Sequence, residues 1–166
     1  MKKVYISFIT ILIFFLTGCS NNVDSVKDST LDFDKSITVG QAFDNYKYFS
    51  DTKWEEFKTN NGRQIVEFTG TFNDKYLDYL NNQFKKAIKK HPEKAINKAE
   101  LVVQFIINKD GTFNVFASAF KTFYNDKKKR KYTYTISSIN GLLSRIYNNK
   151  ILGMYAYASG KIIILF

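Results

Sequence analysis

The sequence predicts an α+β domain, an antiparallel sheet with about three helices packed on one face. Three observations carry this. Val66, Phe68 and Phe72 alternate with Glu67, Thr69 and Thr71, the period of a strand with one buried and one wet face. Leu77, Leu80, Phe84 and Ile88 recur at three- and four-residue intervals, the period of a helix with one apolar stripe. Apolar runs meet at Asn60-Asn61-Gly62 and Lys109-Asp110-Gly111, which are hairpin turns. With 166 residues, 45% of them hydrophobic and 24% charged, the chain is globular and sized for one domain. No repeat at solenoid periods is visible.

The first segment is an address. Met1-Lys2-Lys3 is cationic, and Val4 to Gly18 is an uncharged, mostly apolar run. That run is shorter than the ~20 residues a membrane-spanning helix needs, and its layout is that of a secretory signal. Leu16-Thr17-Gly18-Cys19 resembles the bacterial lipobox. The resemblance implies a lipoprotein signal peptide over 1–18 and a mature chain that begins at Cys19, acylated through its thiol. Ser20, rather than Asp, follows the Cys, which by the same resemblance allows passage to the outer membrane, facing the periplasm. With a single membrane, the protein would sit on the outer face of the cell membrane.

Residues 19–36 are rich in Ser, Asn and Asp and show no period, so they are expected to form a lipidated, flexible acidic tether. Its Asp24, Asp28, Asp32 and Asp34 could reach basic groups elsewhere on the chain. The α+β domain is expected over 37–166. Thr38 and Gln41 form a capping box ahead of a short helix carrying Val39, Ala42, Phe43 and Tyr46. Lys53 to Phe57 and Arg63 to Phe72 read as the first hairpin. Asn73 or Asp74 can cap a second helix that runs to about Lys90 and ends at His91-Pro92. Leu101 to Asn108, Thr112 to Tyr124 and Tyr132 to Ile136 read as strands. A third helix carries Ile139, Leu142, Leu143, Ile146 and Tyr147, with Ser137 or Ser138 as its cap. Ile151 to Phe166 reads as a last strand pair bent at Ser159-Gly160.

Thr38 to Gly70 is similar to small bacterial lipoproteins of unknown function. The likeness lies in Val39-Gly40-Gln41-Ala42-Phe43, Trp54-Glu55-Glu56-Phe57, Gly62 and Val66-Glu67-Phe68-Thr69-Gly70. It implies no site residues.

Composition excludes several chemistries. One Cys cannot form an internal disulfide, and one Cys with one His, His91, makes no ordinary zinc site. Ser50-Asp51-Thr52-Lys53 matches an S-x-x-K pattern but leads into a strand rather than a helix, and no Lys-Thr-Gly follows. Gly153 and Gly160-Lys161 have the wrong spacing for a phosphate loop, and Ile162 stands where Ser or Thr is needed. Glu55 and Glu56 point to opposite faces of a strand, although either could meet Glu67 across the hairpin. His91 before Pro92 suits a helix end. Tyr46, Tyr48, Phe49, Trp54 and Phe57 concentrate around the first hairpin. They read as core, with a pocket or hydrophobic grip as the alternative.

Net charge is +10, and Lys127-Lys128-Lys129-Arg130-Lys131 places five basic residues in a row between two strands. Such a run suits an anionic surface, against the plainer reading of a solvated loop in a Lys-rich chain. Only three arginines occur, Arg63, Arg130 and Arg145, which together with export argues against nucleic acid. The expected function is that of a membrane-anchored, non-catalytic envelope lipoprotein binding a protein partner or an anionic lipid or polysaccharide, with no metal or cofactor. On this expectation the basic loop also orients the domain on an anionic bilayer. The alternative is a small-molecule-binding or hydrolytic domain with a pocket between helix and sheet.

Overall fold

The structure, a computed structural model, describes residues 22–124, 126, 128–156 and 162–165. The signal segment, Cys19, Lys127 and the bend at Ser159-Gly160 lie outside the described residues. Helix α1 (Asn22–Asp28) leads into α2 (Val39–Asp44), where the Thr38 hydroxyl accepts from the Gln41 amide and the Gln41 side chain accepts from the Thr38 amide. Both halves of the expected capping box are formed.

Strands β1 (Phe49–Lys58) and β2 (Gln64–Phe72) pair antiparallel, with Trp54 opposite Phe68 and Glu55 opposite Glu67. Gly62 closes their turn at φ +76°, in the left-handed region that glycine enters without strain. Asn73 caps α3 (Asp74–Gln83), and Phe84 separates it from the short α4 (Lys85–Lys90). The expected single helix is thus two. Leu80 is buried, but Lys85, Lys86, Lys89 and Lys90 leave α4 with no buried residue to hold it in line with α3.

After a 3-10 turn at Pro92–Lys94 come β3 (Ile96–Ile107), β4 (Phe113–Tyr124) and β5 (Lys131–Thr135). The five strands form one antiparallel sheet in sequence order. Helix α5 (Ile139–Tyr147) starts at Ser138, whose side chain makes no cap bond. Strands β6 (Gly153–Ala156) and β7 (Ile162–Leu165) form the expected terminal pair.

The inner sheet face carries Phe68, Leu101, Val103, Phe105 and Phe120, all 0% exposed. Onto it pack Phe43 of α2, Tyr76 and Leu80 of α3, and Leu142 and Ile146 of α5. Phe43 meets Phe68 edge-on at 4.8 Å between centroids, and Phe72 stacks on Tyr76 at 4.0 Å. The antiparallel α+β architecture with helices on one face is therefore as expected.

Residues 22–36 depart from the tether expectation. Val26 is fully buried in the same core, with Val23 and Leu31 packed against it. Lys27 pairs with Asp44 at 2.8 Å, and Phe33 meets the Tyr147 ring at 4.9 Å. Gly40 permits the approach, since a Cβ there would stand 3.0 Å from the Lys27 carbonyl oxygen. Two apolar residues three apart, Val23 and Val26, suffice once α2 offers a groove. The described fold thus already includes α1, ahead of the expected start at Ile37.

Candidate functional site

The basic run lies at the end of the sheet where β4 turns into β5. Asp126 organises that turn. Its carboxylate accepts from the Arg130 backbone amide at 3.0 Å and from the Arg130 guanidinium. These bonds, the side-chain bond foremost, hold the Asp126 carboxyl below its ordinary range. Arg130 is therefore already matched. Lys129 adopts φ +47° and donates its amide to the Asp126 carbonyl at 3.0 Å, while Lys128, Lys129 and Arg130 are exposed.

The register of β3, β4 and β5 adds residues that are distant in sequence. Lys98 and Lys131 both stand opposite Phe123, one on each neighbouring strand. Each ammonium lies 5.4 Å from the Phe123 ring centroid, within cation–π range. Glu100 fixes Lys98 from the side at 2.6 Å. Beside them opens a cleft of about 320 Å³ lined by Asn97, Lys98, Phe123, Tyr124, Asp126 and Lys129. Tyr124 meets Tyr132 edge-on at 5.5 Å, Tyr132 stacks on Tyr134 at 6.5 Å, and Tyr132 is 45% exposed.

At this end of the sheet the outer face sets the Phe123 ring between two ammonium groups, and Tyr124, Tyr132 and Tyr134 line the inner face. With exposed Lys128 and Lys129 beside it, the outer face can bind several anionic groups at once. Sequence reasoning found the run but missed Lys98, Phe123, Tyr124 and Tyr132. For Lys98 and Phe123 the signal was the period-2 placement of Lys121, Phe123, Lys131 and Thr133 on the outer face, which becomes readable only once the strand register is known. Tyr124 and Tyr132 instead lie on the inner face with Phe120 and Thr122.

The other candidates are placed elsewhere. Glu55 stands beside Lys53 at 2.7 Å, Glu67 accepts from Gln104 at 2.7 Å, and Glu56 accepts from the backbone and side chain of Asn22 at 3.1 and 2.6 Å. His91 is a half-exposed partner of Glu93 at 3.3 Å. The Ser50 hydroxyl donates to the Thr71 carbonyl at 3.3 Å, and Lys53 turns to Glu55, so the S-x-x-K pair never meets. Tyr46, Tyr48, Phe49 and Trp54 belong to the core, whereas Phe57 is 40% exposed on the opposite sheet face. Among the described residues no group of three His, Cys, Asp or Glu is placed to hold a metal, and no helix is long and apolar enough to cross a membrane.

Compared with known proteins, the chain matches no family model, no curated protein and no solved structure.

Proposed function

We propose that this chain is an exported, lipid-anchored envelope protein that works by binding, and that its basic–aromatic end grips an anionic envelope polymer. The observation that carries the binding reading is Phe123 held between the ammonium groups of Lys98 and Lys131, with exposed Lys128 and Lys129 at the same end. The anchor rests on the resemblance of Leu16-Thr17-Gly18-Cys19 to a lipobox behind a secretory signal. A surface reading is favoured over an enclosed pocket because aromatic side chains fill the space between helices and sheet. A binding role is favoured over catalysis because the carboxylates nearest the basic end, Glu100 and Asp126, each already hold a cation.

The test uses the full chain purified from membranes in detergent, applied to immobilised anionic envelope polysaccharide or lipopolysaccharide across a salt series. Binding is expected at low salt and should weaken steeply as salt rises. Substituting Lys98, Lys128, Lys129 and Lys131 by Gln should lower affinity at least tenfold, about 1.4 kcal/mol, with an unchanged melting temperature. Unchanged affinity in that variant would refute the reading. Selective binding to an acidic protein but to neither polymer would transfer the same surface to a protein partner.

A further inference from the structure

We propose that the opposite end of the sheet, where the β1–β2 and β3–β4 turns lie, rests on the anchoring bilayer, so that the basic end is carried away from it. This inference deepens the lipid-anchor reading and rests on it.

The chain enters the fold at that end. Asn22 bonds through both its backbone amide and its side chain to Glu56, near the end of β1. It lines an open cleft of about 580 Å³ with Asn61, Arg63, Gln64, Asn108 and Lys109. Three peptide units separate Cys19 from Asn22, a reach of at most ~10 Å. Because α1 is packed into the core and not a tether, no slack remains beyond that reach. An acylated Cys19 therefore holds the two hairpin tips against the membrane surface.

The side chains at this end suit a lipid interface. On the outer sheet face Phe57, Ile65 and Ile106 stand in one row across β1, β2 and β3. A bulge in β4 brings Phe116 beside them, and the Arg63 guanidinium lies 5.8 Å from its ring. Phe57 and Phe116 are 40% and 49% exposed. Lys58, Arg63 and Lys109 are exposed at the same tips. Exposed rings beside cations match the boundary between acyl chains and phosphates. The carboxylates at this end include Glu56, held by Asn22 and Gln64, Asp110, held by Thr112, and Asp24 on α1. Asp32 is a further one, lining a cleft with Asp110 and pairing with Lys35 at 3.5 Å.

The two ends are far apart. β4 has 12 residues, which at ~3.3 Å per residue separates its turns by about 35 Å. A Debye length of ~8 Å at physiological salt leaves the basic end outside the field of the anchoring bilayer. The expectation that this loop orients the domain on its own membrane gives way to one in which it faces outward.

The experiment uses the full acylated chain reconstituted into vesicles containing anionic lipid. Acylation consumes the only thiol in the chain, so Asn61→Cys and Lys128→Cys each introduce one site for a fluorescent label. Mass spectrometry first establishes acylation of Cys19. Nitroxide-bearing lipids should quench the label at position 61 strongly and the label at position 128 no more than an aqueous reference. Adding Phe57→Ser with Phe116→Ser should reduce quenching at position 61 several-fold while acylation and the melting temperature hold. Acylated protein with equal quenching at both positions, or with more at 128, overturns the orientation alone. Unchanged quenching at 61 in the double variant overturns the contact made by the two rings. A chain without acyl mass at Cys19 overturns the anchor reading and the orientation with it.

Discussion

The Tyr76 hydroxyl donates to the Leu152 carbonyl at 2.9 Å, joining α3 to the segment between α5 and β6 across 76 positions, and both residues are fully buried. Tyr46 makes a parallel bond to the Lys150 carbonyl at 2.8 Å. Tyr76→Phe would leave the Leu152 carbonyl buried without its donor, at a cost of about 1–3 kcal/mol. Tyr46→Phe should cost less, since its bond is only partly buried. Urea midpoints of the two variants measure the difference, and equal values would contradict the ranking.

Alkaline pH should weaken the fold. Burial pushes the phenols of Tyr46, Tyr76 and Tyr134 well above the ordinary value near 10, and that of Tyr147 up to about 12. The unfolded chain releases these protons first, so stability is complete below about pH 10 and falls as pH rises through 12. The Tyr147 hydroxyl has no hydrogen-bond partner among the described residues. Tyr147→Phe should therefore gain up to about 1 kcal/mol at neutral pH and flatten the alkaline fall. Denaturant melts between pH 8 and 12 test both effects.

Val26→Asp should destabilise the domain by about 3 kcal/mol or more, because it places an unpaired carboxylate at a fully buried position. Were residues 22–36 a solvated tether, the same change would cost nothing. Limited proteolysis supplies an independent reading, since α1 should be protected in the native protein and cut early in this variant.

Gly70 lies beneath Phe49, where an added Cβ would come within 2.6 Å of the ring. Gly70→Ala should cost about 1–3 kcal/mol through overpacking. Phe49→Leu is costly alone, because it removes ring contacts to Tyr46, Phe68 and Phe72. It also opens the space that the added methyl group would need, so the double variant should lose less than the two single losses combined. Strict additivity would mean that the ring is not what excludes the methyl group.

The hairpin β1–β2 could be read from residues alone, because Asn60-Asn61-Gly62 and the alternation from Val66 to Phe72 agree with each other. So could the start of α2, whose two capping partners sit three residues apart. Strand β3 begins at Ile96 rather than Leu101 because Asn97, Lys98 and Glu100 look like loop residues until the outer face proves to be solvated. Helix α1 stayed hidden because its apolar content is only Val23 and Val26, and the surface that buries Val26 exists only once α2, β1 and β2 have packed together. The candidate site divides the same way. Lys127 to Lys131 is a local run, whereas Lys98 reaches Phe123 only through a pairing that includes a register shift between Ile96 and Lys98.

The unbroken strand order from β1 to β5 has a consequence in time. The β1–β2 and β3–β4 hairpins each close over a short turn, so their loop-closure entropy is small and they can form early. The bonds from Tyr46 and Tyr76 to residues 150 and 152 span most of the domain and can close only after the sheet exists. A chain that emerges from its N-terminus can thus assemble strand by strand while those two hydroxyls wait. Removing either should speed unfolding while leaving the refolding rate almost unchanged.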